Sequence, residues 1–351
     1  MGFKRLEVDD FVVSAQAQTA TCWTGNVPAL SNFYTQSNQV NGASGVYYVT
    51  VFNENATASN SQAQFEIAYG NQNGGGALAF NQTAAPGVSP ASTIYGQYRT
   101  LVLEDENSTF SFGGVTGSSI YVISVERARY KQALFPGSLN LTLSGSNSTI
   151  LKLTDDSNMV QIPTYYGTTR AYQIISGSNG YSYNSASGGT GYTSTVGSYG
   201  LFLPDIGTII LNAAALDLPH ASGGIALNTL RTSNTNTNNP TRLFSTSSGR
   251  IGLTTGSITS SFSLNSNETI TSDFVFCRAR NAEFNYTENP SFISGSTGAV
   301  LYDLFINSPT TYITTVGMYN DSNELLAVAK LSKPLKKDFT KEALIRVKLD
   351  F

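Results

Sequence analysis

Charge is the scarcest property of this 351-residue chain: Asp, Glu, Lys and Arg together make up 12% of it, against roughly 25% in ordinary globular domains. The net charge of −3 and a pI near 5.3 argue against nucleic acid as a partner, because neutralising phosphates takes clustered Lys and Arg. Histidine is scarcer still. His220 stands alone, in Leu218-Pro-His-Ala-Ser-Gly-Gly224, with no G-x-S-x-G elbow there or elsewhere, so a Ser-His-Asp arrangement lacks its usual setting. It reads as a turn histidine without a catalytic role. The two cysteines, Cys22 and Cys277, show neither CxxC nor metal spacing and read as buried free thiols of a protein folded in a reducing cytoplasm. No run approaches the about eighteen apolar residues of a membrane-spanning helix, and no membrane partner is expected. The most apolar piece, Tyr199–Asn212, is broken by Pro204 and Asp205 and reads as a buried strand or a pair of strands. The first residues, Met1–Phe11, lack the apolar core of a signal peptide, and Leu6 stands where a myristoylation motif takes Ser or Thr. The Asn-x-Ser/Thr sequons, at Asn55, Asn81, Asn107, Asn140 and Asn147 among others, are then chance products of composition.

Carboxylates are few but adjacent. Asp9-Asp10, Glu104-Asp105-Glu106 and Asp155-Asp156 are the acid clusters, yet the two carboxylates of a glycosidase come from separate elements held at a set distance. The turn Asp155-Asp-Ser-Asn158 offers oxygen ligands for calcium but lacks EF-hand spacing. Neither a P-loop nor a G-x-G-x-x-G is present. The expectation is therefore no enzyme, with no catalytic, cofactor-binding or metal residue and no cofactor.

What fills the space is Gly (32), Tyr (19) and Phe (19), with a heavy load of Ser, Thr and Asn. β-branched and aromatic runs bounded by polar turns predict strands at Val46–Phe52 and Ala63–Tyr69, paired with each other, and at Ser119–Val125. Clean alternation predicts a hairpin of Ser138–Leu143 with Thr149–Leu153 around a turn at Ser144–Ser148. Tyr172–Ile175 and Gly200–Leu211 flank a Gly/Ser/Tyr segment, Gly177–Ser198, read either as an inter-subunit loop or as an ordinary surface loop. Ser257–Leu264 and Thr269–Ala279 read as paired strands. Ser92–Leu103, after the loop at Gly74–Gly76, reads as a short helix or a strand, and a helix is expected over Glu126–Leu134, closed by Pro136-Gly137. At the C-terminus Ile345, Val347, Leu349 and Phe351 point to one face of a strand and Arg346, Lys348 and Asp350 to the other, which predicts a chain end clamped into a sheet. The fold class is mainly β, a β-sandwich or layered β domains with one or two short helices, and no repeat period marks a propeller or solenoid. The polar stretch Thr229–Pro240 suggests a loop or boundary at 229–240 between a β-rich 1–228 and a C-terminal β region 241–351, with a single composite domain as the alternative.

Three segments of the last seventy residues carry a resemblance: Glu283-Phe-Asn-Tyr-Thr-Glu-Asn-Pro-Ser-Phe292, Tyr312-Ile-Thr-Thr-Val-Gly-Met-Tyr-Asn-Asp321 and Leu325-Leu-Ala-Val-Ala-Lys-Leu-Ser-Lys-Pro334. They are similar to the C-terminal regions of virion structural proteins of contractile-tailed phages, those of cyanobacteria especially. The stretch Val125–Leu143 resembles the same group. The resemblance implies a non-enzymatic virion subunit, made in the host cytoplasm, in a baseplate or tail where it mediates subunit assembly or fibre attachment. It implies other virion subunits as partners, in a homo- or hetero-oligomer. A receptor-binding adhesin of a tail fibre and a head or neck decoration protein are the alternatives. A polysaccharide-degrading enzyme is the weakest reading.

Two expectations about surface follow. Between Ala171 and Leu230 there is no Lys or Arg, and Asp205 and Asp217 are the only acids, which suggests an uncharged face covered by a neighbouring subunit. Lys330, Lys333, Lys336, Lys337 and Lys341 form a basic run interrupted by Asp338 and Glu342, read as a solvated rim beside the last strand, or as one that steers an acidic partner.

Overall fold

The structure, a computed structural model, describes residues 3–36, 48–73, 90–144, 150–182, 194, 196–227, 243, 261–286 and 290–350. The expected loops at 74–76 and 229–240, the turn residues 145–148 and most of the 177–198 segment lie outside these. The first part of the chain forms strands β1 (Phe11–Thr21), β2 (Tyr34–Gln36), β3 (Tyr48–Phe52) and β4 (Ala63–Asn71), then helix α1 (Pro90–Leu103). There follow β5 (Phe110–Phe112), β6 (Val115–Gly117), β7 (Ser119–Val125), β8 (Ala133–Leu134), β9 (Asn140–Ser144), β10 (Ile150–Asp155), β11 (Thr164–Tyr166), β12 (Thr169–Ser178) and β13 (Tyr181–Ser182). Next come β14 (Gly200–Leu203), β15 (Thr208–Asn212), helix α2 (Ala213–Asp217), β16 (Ser261–Ser263) and β17 (Asn265–Ala279). Helix α3 (Asp303–Asn307) and strands β18 (Thr311–Tyr319), β19 (Leu325–Lys337) and β20 (Ala343–Asp350) complete the described chain. The protein is mainly β and layered, as its alternating runs predict.

By contact the chain forms two compact units, one of residues 18–268 and one that joins residues 1–17 to 269–351. This division differs from the expected 1–228 and 241–351, because residues 1–17 group with the C-terminal part and β16 with the central one. The central unit carries a twelve-stranded sheet in the order β16-β9-β10-β12-β14-β15-β7-β4-β3-β2, with β11 and β13 beside β12. Its inner strands bury both faces. In β7, Tyr121 and Ile123 enter one apolar cluster while Ile120 and Val122 enter another. β15 does the same with Ile209 and Leu211 against Ile210. That double burial explains uninterrupted apolar runs such as Gly200–Leu211, which form two antiparallel strands paired Leu201 to Ile210 and Phe202 to Ile209. The larger cluster draws on strands from distant places in the sheet order: Phe65 of β4 meets Phe262 of β16 with ring centroids 5.4 Å apart, and Trp23 lies 4.9 Å from Phe262. The sheet therefore curls around that core.

Helix α1 covers the smaller cluster. Tyr95, Tyr98 and Val102 meet it at helical spacing while Ala91 enters the larger cluster, and the Tyr95 hydroxyl donates to the Gly117 carbonyl at 2.8 Å and accepts from the Phe110 amide at 3.3 Å. The sheet beneath must be close to the helix, and Gly70 of β4 allows it: a Cβ there would lie 2.9 Å from the Tyr95 backbone nitrogen.

Two local expectations are corrected. Glu126–Leu134 is not a helix: one 3-10 turn covers Arg127–Arg129, and Ala133 and Leu134 are buried in a strand paired with Asn267 and Ser266. Burying two adjacent apolar residues in a ladder outweighs helix propensity here. Nor do β16 and β17 pair with each other. Only Leu264 separates them, too short for a reversal, so β16 pairs β9 and β17 pairs β1, β8 and β20.

In the second unit the order is β1-β17-β20, and the final strand lies antiparallel to β17 with Val347 opposite Val275. Ala343, Ile345, Val347 and Leu349 turn inward or are half-buried while the residues between them are exposed, the alternation the sequence predicts. β18 and β19 pair with each other as an antiparallel hairpin. Its turn is tied by Asn320, whose Oδ1 accepts from the amides of Ser322 (3.0 Å) and Glu324 (2.8 Å).

Candidate functional site

The acid clusters come first, because paired carboxylates are the commonest start of an active site. Asp155 ends β10 fully buried, with its carboxylate accepting from the Gly137 amide at 2.8 and 3.0 Å and from the Ser157 amide at 3.2 Å. Asp156 Oδ1 accepts from the Gln173 amide at 3.0 Å, and the Asp156 amide donates to the Gln173 carbonyl at 3.0 Å. Burial pushes the Asp155 carboxyl up from its usual range, against hydrogen bonds that favour the anion. Asp156 is pushed up to about 6, by burial first and then by the neighbouring Asp155. The pair thus pins the turn at Gly137 and strand β12 to the end of β10. In the same way Asp105 accepts from the Asn107 amide (2.9 Å) and the Ser108 hydroxyl (2.5 Å), and Asp10 from the Glu7 amide (2.9 Å). In each cluster, then, a carboxylate holds a turn.

Cys277 lies near enough to Asp10 that, after burial, the carboxylate's charge pushes its thiol up. Cys22 is buried in the central core, where desolvation pushes its thiol up to about 12, and such a thiol is a poor nucleophile. Cys277 is free and half-buried in the other unit. His220 begins a 3-10 turn, His220–Ser222. Among the described residues no three His, Cys, Asp or Glu side chains group as metal ligands, and no helix is long and apolar enough to cross a membrane.

Among the described residues the uncharged stretch from Ala171 onward is mostly core, although Asn179 and Tyr181 are exposed. Leu201, Phe202, Leu203, Ile209, Ile210 and Leu211 are all completely buried; the lack of charge reflects a two-sided core. Asp205 is matched by Arg170 just outside the stretch, with Nη2 to Oδ1 at 2.6 Å. Burial alone would raise the Asp205 carboxyl, but the Arg170 hydrogen bonds and charge outweigh it and hold it below its usual value.

Exposed apolar surface is concentrated instead in the unit of residues 1–17 and 269–351, although Leu101 and Ile162 of the central unit are also exposed. Among its described residues Phe274, Val275, Ala279, Ala343 and Val347 are the buried apolar side chains. Many more large ones face solvent: Val8 and Leu304 are each 88% exposed, and Phe11, Val12, Val13, Leu325, Leu326 and Val328 stand open along β1 and β19. This unit also contains a cleft of about 1080 Å³ between the N-terminal segment and β18. Phe3, Phe11, Phe284, Tyr286, Tyr312 and Tyr319 line it and all are substantially exposed. Phe3 and Tyr319 meet edge-to-face at 5.1 Å.

The basic run is split by the fold. Lys330, Lys333, Lys336 and Lys341 are exposed as a rim should be, but Lys337 is fully buried. Its ammonium donates to the Asn281 carbonyl (3.0 Å), Asn285 Oδ1 (2.8 Å) and the Asp338 carbonyl (3.1 Å). The Glu283–Phe292 segment singled out above supplies part of this arrangement: Asn285 accepts from Lys337, and Glu283 Oε2 accepts from Lys4 Nζ at 2.9 Å and from the Arg280 amide at 2.8 Å. Its polar residues fasten the unit together. The lysine spacing alone gave no sign of which one turns inward; the pairing of Lys337 with Thr311 at the end of the hairpin decides it. Comparison with protein-family models, curated proteins and solved structures finds no match for this chain.

Proposed function

We propose that the chain is a non-enzymatic structural subunit of a contractile-tailed phage virion, placed in the baseplate or tail, where it assembles with other subunits or attaches a fibre. The observation that carries the reading is the inverted burial of the unit formed by residues 1–17 and 269–351. A stable free domain hides most of its large apolar side chains, whereas here Leu304, Leu326, Val328 and the start of β1 face outward. Surfaces of this kind are covered by neighbours in permanent assemblies. The segments that resemble virion proteins fall largely in the same unit, in β18, β19 and the stretch around Glu283. Mass spectrometry of gradient-purified particles made from the genome that encodes the chain, separated into heads and tails, tests this. Peptides of the chain should travel with tails at a fixed ratio to tail subunits; their absence from washed particles overturns the proposal.

The aromatic cleft favours a second reading, a receptor-binding module, because exposed Phe and Tyr rings stack on the apolar faces of sugars. Glycan binding that is lost on Tyr312→Ala with assembly intact would move the function there.

A further inference from the structure

Strand β1 ends its sheet: the order is β1-β17-β20, and among the described residues no strand pairs with its other side. An open edge presents a row of unpaired N–H and C=O groups, which proteins normally protect with Lys, Pro, a bulge or a covering element. Phe11-Val-Val-Ser-Ala-Gln-Ala17, the part of β1 in the C-terminal unit, has no charged residue, no proline and no glycine. Every residue in it is exposed except Ser14, which is half-buried. We propose that this edge pairs antiparallel with the same edge of a second copy of the chain, closing a two-fold dimer through a sheet that runs across both subunits.

The chemistry of the strand selects its occupant. Two identical strands repel wherever like charges fall opposite each other, and this segment has none to oppose. A charged partner strand would find nothing on β1 to fix its register. A dyad at Ser14 sets Phe11 opposite Ala17, Val12 opposite Gln16 and Val13 opposite Ala15, so each bulky apolar residue faces a smaller or flexible one. Two-fold pairing also consumes both copies of the β1 edge at once, and β20, which ends the sheet on its other side, carries Arg346, Lys348 and Asp350 against further pairing. This inference goes beyond the virion reading, since it needs no other particle component and is read in dilute solution.

Sedimentation of the purified full chain over a wide concentration series is the test, beside the double variants Val13→Lys/Ala15→Lys and Val13→Glu/Ala15→Glu. The parent should be a dimer. Each variant, with unchanged circular dichroism, should dissociate at least tenfold more readily, and an equimolar mixture of the two should regain a dimer. In the parent, amide exchange across Phe11–Ala17 should slow as concentration rises, a readout that does not depend on any variant folding. A parent that is monomeric throughout, an open-ended series of oligomers, or a dimer that persists in both charged variants overturns the proposal.

Discussion

Asp156 carries a cost at neutral pH that can be measured. Its folded-state carboxyl is raised to about 6 by burial and by Asp155, above the about 3.9 of an unfolded aspartate. The folded protein therefore binds more protons than the unfolded chain between these values, so its stability is greatest below pH 4 as far as this group is concerned, and falls as pH rises through 6. The effect is on the order of 3 kcal/mol over that window. Trp23 is the sole tryptophan and lies in the core of the central unit, so urea unfolding followed by its fluorescence reports the unit that holds Asp156. Asp156→Asn keeps an oxygen for the Gln173 amide and removes the charge. The variant should be more stable than the parent at pH 7.5 and gain little at pH 4.5; parent stability that stays level or climbs from pH 4 to 6 would show that the carboxylate is not held this way. At this scale the sequence was partly legible. The adjacent acids were visible as a cluster, but that they tie Gly137 and Gln173 to the end of β10 depends on contacts between residues distant in sequence. Lys337 teaches the same: five lysines look alike until the fold supplies three oxygens to one of them.

At the scale of elements, alternation was the dependable signal. β3 with β4, β9 with β10 and the final strand all follow from their patterning, because each sits where one face is buried and the other is not, or where an aromatic and β-branched run is buried on both. The residues of α1 left a helix and a strand both open, and its cover of the smaller cluster through Tyr95 and Val102 is what decides for the helix. Glu126–Leu134 misled because its helix formers speak for local preference, while the burial of Ala133 and Leu134 beside β17 is a long-range effect. The approach of α1 to β4 was hidden for the same reason, since only the assembled layers show what Gly70 is for. Gly70→Ala would gain some unfolded-state rigidity, but its methyl would meet the Tyr95 backbone at 2.9 Å. Backbone cannot move aside as a side-chain tip can, so overpacking should dominate and destabilise the central unit by about 1–3 kcal/mol. The measurement is the urea midpoint by Trp23 fluorescence; a midpoint equal to or above that of the parent would mean that the helix stands farther from the sheet.

For the whole molecule, scarcity of charge has two separate meanings that composition alone could not distinguish. In the central unit, the stretch from Ala171 is uncharged because strands β12, β14 and β15 are core on both faces. In the unit of residues 1–17 and 269–351, neutral and apolar residues are on the outside, along β1, α3 and β19. Hydrogen exchange on the dilute full chain separates the two. Amides of β14 and β15 should exchange slowest of all and at the same rate at every concentration, since opening them requires the central unit to unfold. Amides of β1 and of the β18–β19 ribbon should exchange early in dilute solution, because a two-stranded ribbon with few buried contacts opens easily, and should slow only when another subunit covers them. If β14 and β15 instead gained protection on association, the uncharged stretch would be an interface after all. If the β18–β19 ribbon were as slow as β14 in the dilute chain, its exposed Leu and Val side chains would need no partner, and the argument for assembly through this unit would fall.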